Sequence, residues 1–194
     1  MLGIVLCGGQ SSRMGADKGL LIHQNKRWSK LAGEKLGSLN LQVKFSINVT
    51  QIVKYSAYYD EMQLIKDQAS FNVSGPLSGV LSAHAENPDD DLFLMACDLL
   101  MMEVGVLERL VAARLEEESF DVYLFRNDNQ QEPLCGIYTA AGLKKIKLML
   151  ERGELMRHSM KFVLSKLRVY ESILESDKFH CFGNFNSPVE INKI

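Results

Sequence analysis

The stretch from Val5 to Ile22, VLCGGQSSRMGADKGLLI, constrains the fold more than any other part of the chain. Apolar Leu2–Leu6 reads as a short buried strand that runs straight into paired glycines. Gly8 and Gly9 permit backbone angles and close approaches that a Cβ forbids. Successive N–H groups in such a turn form a nest for an anion. Arg13 and Lys18 bring two positive charges to the same loop. A unit of this kind suits a polyphosphate. Glycine-rich turns also occur with no phosphate bound, and it is the combination of Arg13, Gly15, Asp17 and Lys18 that favours the functional reading. A Walker loop is excluded, because no Gly-Lys is followed by Ser or Thr. The dinucleotide fingerprint of the Rossmann fold is excluded by the glycine spacing.

The rest of the sequence narrows the class. A length of 194 residues suits one domain, or one with a modest appendage, and we expect a single domain over 1–194. A net charge of −2 gives no footprint for nucleic acid. Cys7, Cys97, Cys135 and Cys181 are scattered through apolar runs without a Cys-x-x-Cys pair. They read as small core residues in a reducing compartment, with zinc ligation not expected. No segment is apolar over the roughly 20 residues that a membrane helix needs. Met1-Leu2-Gly3 opens directly on a strand, leaving no room for a secretion signal, so the expected location is cytoplasmic.

Strand-like and helix-like segments alternate. Val43–Val49, Gln63–Lys66, Leu92–Cys97, Phe120–Phe125 and Leu134–Tyr138 read as strands, the last two forming a hairpin-like excursion around a polar turn. Leu92–Cys97 is nearly all apolar, as a strand covered on both faces should be. Leu107, Leu110, Val111 and Leu115 recur at helical spacing, as do Met156, Met160, Val163, Leu164 and Leu167. Both stripes are expected to face the core. Ser187-Pro188-Val189-Glu190 has the order of a capping box and predicts a short helix at the C-terminus. The alternation predicts an α/β fold of three layers, a mainly parallel sheet with helices on both faces.

In open sheets of this kind, ligands bind beyond the carboxyl ends of the strands. Asn48, Asp67 and Asp98 each follow an apolar strand. A carboxylate at the end of a buried strand, beside a polyphosphate, is well placed to hold Mg²⁺, which takes one or two carboxylates together with substrate phosphates. Asp98 is the candidate. Asn48 and Asp67 are either turn formers or groups that read a nucleobase, since a carboxylate or carbonyl can accept from guanine N1 and N2. Ser74-Gly75-Pro76-Leu77-Ser78-Gly79 is a second glycine-bearing turn, either a simple helix start or a wall against a base or ribose. His23, His84, His158 and His180 form no ligand pattern; His84 is expected in a helix and His180 in a strand.

These motifs together resemble the molybdenum cofactor guanylyltransferases, within the nucleotidyltransferases of the glycosyltransferase-A type. LCGGQSSRMGADKGLL is similar to their first-loop signature, SGPLSG to their Gly-Pro-Leu turn, and MACD to the element carrying their metal aspartate. Glu132-Pro133-Leu134 and Asn184-Phe185-Asn186-Ser187-Pro188 are similar to their acceptor-side elements. The resemblance implies a Rossmann-like nucleotidyltransferase fold and transfer of GMP from GTP to molybdenum-molybdopterin, with Mg²⁺ as cofactor. It implies nucleotide contacts from Leu6, Cys7, Gly8 and Gly9, and charge neutralisation by the catalytic Arg13 and Lys18. Asn48 and Asp67 would bind the nucleoside, Asp98 the metal, and Asn184 and Asn186 the acceptor. Molybdoenzymes or their chaperones are implied as downstream partners, with no nucleic acid and no membrane. Related alternatives are a molybdopterin cytidylyltransferase, a sugar- or polyol-phosphate nucleotidyltransferase, and a nucleotide-binding module without turnover. Three positions depart from the pattern: Asn25-Lys26-Arg27-Trp28 stands where Gly-Lys-Pro is usual, Ser74 replaces a glycine, and no proline follows Asp98.

Overall fold

The computed structural model describes residues 1–8, 17–128, 130–183 and 185. Strand β1 (Leu2–Leu6) is buried along its whole length and lies mid-sheet. A small hairpin follows, β2 (Ile22–His23) against β3 (Lys26–Arg27). Its turn residues Gln24 and Asn25 have φ of 49° and 61°, a left-handed pair that asparagine tolerates and that suits a tight hairpin. The chain then enters α1 (Trp28–Gly37), with Trp28 fully buried, while the Arg27 guanidinium lies 3.2 Å over the Tyr58 ring. The departure at Asn25–Trp28 is therefore absorbed as a hairpin and a core anchor.

The main sheet has seven strands. They are β1, β4 (Gln42–Ile47), β5 (Leu64–Lys66), β6 (Leu92–Ala96), β7 (Val122–Asn127), β8 (Gln130–Tyr138) and β9 (Val169–Ile173), in the order β5-β4-β1-β6-β8-β7-β9. Pairing is parallel except where β8 meets β6 and β7. The expected hairpin is β7–β8, longer than its apolar stretches suggest, and β9 is a further strand that Val169-Tyr170-Glu171-Ser172-Ile173 only weakly signals.

Alternation along the strands separates two cores. Val5, Phe45, Phe93, Met95, Tyr123 and Phe125 face α1 and α4 (Val104–Glu116), with α2 (Ile52–Tyr55) at the edge. Ile4, Leu6, Leu94, Val122 and Leu124 face α3 (Pro76–Glu86), α5 (Ala140–Glu151) and α6 (Met160–Leu164). The three-layer expectation holds.

Several local expectations change. Val49 is not in β4; it begins a 3-10 turn capped by Asn48. Leu115 is 73% exposed, because Arg114 closes that end of α4 instead, paired with Asp91 at 3.0 Å and lying over the Tyr123 ring. Met156 is 82% exposed and on no helix: α6 begins only at Met160, where the Ser159 side chain accepts from the Phe162 N–H. Leu167 lies past the end of α6. His180 lies in a 3-10 helix, Ser176–Phe182, not in a strand. The expected helix at Ser187 lies outside the described residues.

Candidate active site

Because β5, β4, β1 and β6 run parallel, the residues that follow them share one edge of the sheet. Gly8, Asn48, Asp67 and Asp98 thus come together from four separate parts of the chain. Gly8 stands close to two of the others: a Cβ there would lie in van der Waals contact with the Asn48 nitrogen at 3.8 Å and Asp67 Oδ2 at 3.9 Å. Beside it opens a cavity of about 650 Å³ lined by Leu6, Gly8, Asn48, Asp67, Ser78 and Gly79, among others. That volume lies within the usual range for small-molecule sites.

The Ser74–Gly79 turn forms one wall. Gly75 has φ 73°, an angle that needs glycine, and Pro76 starts α3. Gly79 is required for a different reason, since a Cβ there would collide with Ser46 Oγ and stand 3.5 Å from Asp67 Oδ1. The absent side chain lets the helix approach the carboxylate. Asp67 Oδ1 is buried and has no hydrogen-bond partner among the described residues. Burial pushes the Asp67 carboxyl above its ordinary range, and the nearby Ser78 hydroxyl offsets this in part. A buried acceptor without a partner is costly. Asn48 is committed differently. Its Oδ1 already accepts from the Thr50 N–H at 2.9 Å and the Thr50 hydroxyl at 2.6 Å, and Gln51 completes a capping box. Asn48 Oδ1 is thus engaged within its own turn, although both residues line the cavity.

Lys18 meets Asp98 at the other side of Gly8: Nζ stands 3.0 Å from Oδ2, with side chains 22% and 19% exposed. A half-buried network sets this position. Asp17 accepts from the Gly19 N–H at 3.1 Å, from Gln51 Nε2 at 2.6 Å and from the Tyr55 hydroxyl at 3.0 Å. Burial pushes the Tyr55 phenol far above its ordinary range, so it remains a neutral donor. A Cβ on Gly19 would collide with the Tyr55 hydroxyl. Ser29 then joins the Gly19 carbonyl to the Tyr59 hydroxyl at 2.7 and 2.6 Å. Sequence patterns point to Asp17 and Lys18 but give no hint of Gln51, Tyr55, Ser29 or Tyr59.

Lys35 is a second residue that the sequence conceals. From α1 its ammonium donates to the carbonyls of Leu99, at 3.4 Å, and Leu100. It fastens the turn after Asp98, where the expected proline is missing. Burial lowers the Lys35 pKa. On the neighbouring strand, burial raises the Glu132 carboxyl, with Asn127 offsetting it in part.

The start of the first loop is tied to its neighbours through its backbone. The Cys7 and Gly8 N–H groups both donate to the Ser46 carbonyl, at 2.9 and 3.2 Å, and the Cys7 carbonyl accepts from Gln51 at 3.0 Å. They anchor the start of the loop to β4. The Cys7 side chain faces the core, and Leu6 lines the cavity. Gly9, Arg13, Asn184 and Asn186 lie outside the described residues.

The pattern of the MobA-like NTP transferase domain matches residues 3–168. The chain belongs to the MobA-like NTP transferase domain family. Within this nucleotidyltransferase family, it is 30% identical to a probable molybdenum cofactor guanylyltransferase of Flavobacterium johnsoniae, over 98% of this chain and 94% of that one. It is 27% identical to a molybdenum cofactor guanylyltransferase of Campylobacter jejuni subsp. doylei, over 98% and 93%. The crystal structure of molybdopterin-guanine dinucleotide biosynthesis protein A from Archaeoglobus fulgidus shares the fold, with a TM-score of 0.76 at 21% identity over 100% of this chain and 96% of that one. Among the described residues, no helix is long and apolar enough to cross a membrane.

Proposed function

We propose that the chain, acting as one nucleotidyltransferase domain, transfers GMP from GTP to the terminal phosphate of molybdenum-molybdopterin and releases pyrophosphate. An acceptor phosphate oxygen forms the new bond to the α-phosphorus as the bond from that phosphorus to the bridging oxygen of pyrophosphate breaks. The acceptor phosphate is ionised at neutral pH, so the reaction needs no protein base. What it needs is alignment and charge neutralisation. The observation that carries this reading is the Lys18–Asp98 pair at the same sheet edge as a cavity lined by Gly8, Asp67 and Gly79.

In this reading Asp67 accepts from guanine, and Leu6, Gly8 and Gly79 let the nucleoside lie close to the backbone. Lys18, together with Arg13, balances the triphosphate. Asp98 suits Mg²⁺, because it presents a hard carboxylate oxygen at the phosphate end of the site, and that oxygen already faces a cation. Bound Mg²⁺ would add neutralisation of the phosphates as charge builds on the departing pyrophosphate. Lys35 holds the turn that carries Asp98, and Asn184 and Asn186 serve the acceptor. We place the reaction in the cytoplasm, with molybdoenzymes or their chaperones receiving the product.

The test is GMP transfer from labelled GTP to molybdenum-molybdopterin with Mg²⁺, in competition with CTP and ATP. GTP should be preferred at least about tenfold in kcat/KM, or about 1.4 kcal/mol. Preference for CTP would make the chain a cytidylyltransferase. Turnover only with a sugar phosphate, or nucleotide binding without turnover, would overturn the proposal.

A further inference from the structure

Away from this cavity, three electron-pair donors converge on one point. Glu103 lies just ahead of α4, and His180 and Cys181 sit side by side in the last 3-10 helix. One ligand atom from each lies within 4.8 Å of the others. The hydrogen bonds of His180 settle its orientation. Nδ1 stands 2.8 Å from the Asp177 carbonyl oxygen, which can only accept, so Nδ1 carries the proton. In the neutral ring, Nε2 is then an unprotonated lone pair. It faces Glu103 Oε1 at 3.0 Å and Cys181 Sγ at 3.7 Å. A lone pair aimed at a carboxylate is repulsive unless a proton or a metal lies between them.

The spacing suits a metal. Tetrahedral Zn²⁺, with its usual bond lengths, sets ligand atoms about 3.3 Å apart for N···O and about 3.6 Å apart for N···S. The carbonyl on Nδ1 is the outer partner that ligating histidines commonly have. Lys178 takes the other Glu103 oxygen at 2.7 Å and leaves Oε1 for the site. A mixed N/O/S set suits a borderline divalent cation rather than Mg²⁺. We propose that Glu103, His180 and Cys181 form a three-ligand Zn²⁺ site, with water as the fourth ligand, that fastens the Ser176–Phe182 helix to the start of α4. On binding, the Cys181 thiol loses its proton to solvent, the imidazole and carboxylate lend electron pairs, and nothing is oxidised or reduced. Widely spaced cysteines hide such a site, because it uses only one of them.

The test is titration of the metal-stripped full chain with Zn²⁺, followed by equilibrium dialysis, and with Co²⁺ as a spectroscopic stand-in. One ion per chain is expected, with a near-ultraviolet sulfur-to-cobalt charge-transfer band. Cys181→Ser should abolish the band. The exposed His180→Gln should weaken binding by at least about tenfold, the lower scale at which even an outer partner is felt, with an unchanged circular dichroism spectrum. Asp98→Asn should keep the band, which separates this site from the proposed Mg²⁺ site. Absence of a band, its survival in Cys181→Ser, or its loss in Asp98→Asn would overturn the proposal. An imidazolium bridging Glu103 without metal would show as no bound ion in the dialysis, with the same consequence.

Discussion

The two halves of the sheet are built on different terms. On the β5-β4-β1-β6 side all strands run the same way; the residues after β5, β4 and β1 line one cavity, and Asp98 after β6 stands at the same edge. A half-buried network, Asp17 with Gln51 and Tyr55, braces the residue next to Lys18. On the β8-β7-β9 side one strand is reversed, and the polar groups at the same edge largely satisfy each other. Arg126 donates to Glu171 at 2.8 Å, and Gln131 donates to the other Glu171 oxygen at 2.6 Å. The first half gathers its polar groups around an open cavity, whereas the second pairs them across strands. Substitutions should therefore cost function on the first side and little on the second.

The largest effect is expected at Asp98. Asp98→Ala should lower kcat/KM for GMP transfer by about a thousandfold, the upper scale for losing one electrostatic contact to the reacting group, while the melting temperature stays close to that of the parent. Turnover near the parent level would break the contrast at its centre. Lys18→Ala comes next, with a fall of about ten- to a hundredfold and a much larger loss of affinity for GTP than for guanosine by calorimetry. Equal losses for both ligands would make Lys18 a packing residue.

Asp67→Asn should separate binding from stability. The folded chain raises the Asp67 pKa by burial, so this carboxyl favours folding below its unfolded pKa, and that contribution is lost as pH rises through the folded value. At neutral pH the buried charge is a liability. Asp67→Asn should thus raise the melting temperature of the nucleotide-free chain at pH 7 and flatten its rise toward acid. The same change should weaken GTP binding by about 1–3 kcal/mol, the cost of losing a buried hydrogen-bond partner. A lower melting temperature at pH 7 would contradict this sign. The smallest effect belongs to the other half: Glu171→Gln should change the KM for GTP by less than about threefold, as expected for a half-exposed ion pair. A large shift there would show that the ion-paired edge contributes to nucleotide binding.

The sequence carried the first half more plainly than the second. β1 and β6 are legible because burial on both faces leaves an unbroken apolar run, and Asp98 stands out because it ends one. β9 is only partly buried, so its run is broken by Glu171 and Ser172. The β2–β3 hairpin has two residues per strand, too few for any period. Lys18 is visible as part of a local motif, whereas its supports are not. Gln51 and Tyr55 reach Asp17 across 34 and 38 residues, and Lys35 reaches Leu99 across 64. An amide, a phenol and a lysine on otherwise ordinary helices carry no spacing that marks them in advance. Leu115 and Met156 fail for the opposite reason, since helical spacing was present without a face for them to cover.

The Lys18–Asp98 contact also bears on the order of events. The carboxylate proposed for the metal has an ammonium as its counter-ion, so a bare divalent ion must displace a tethered competitor. A nucleotide that arrives with its metal removes the competitor in the same encounter, because its phosphates give the ammonium a new place to go. On the proposed metal role of Asp98, magnesium is expected to enter with the nucleotide rather than ahead of it. MgCl₂ titrated alone should then produce no heat of binding, and the same titration into Lys18→Ala should.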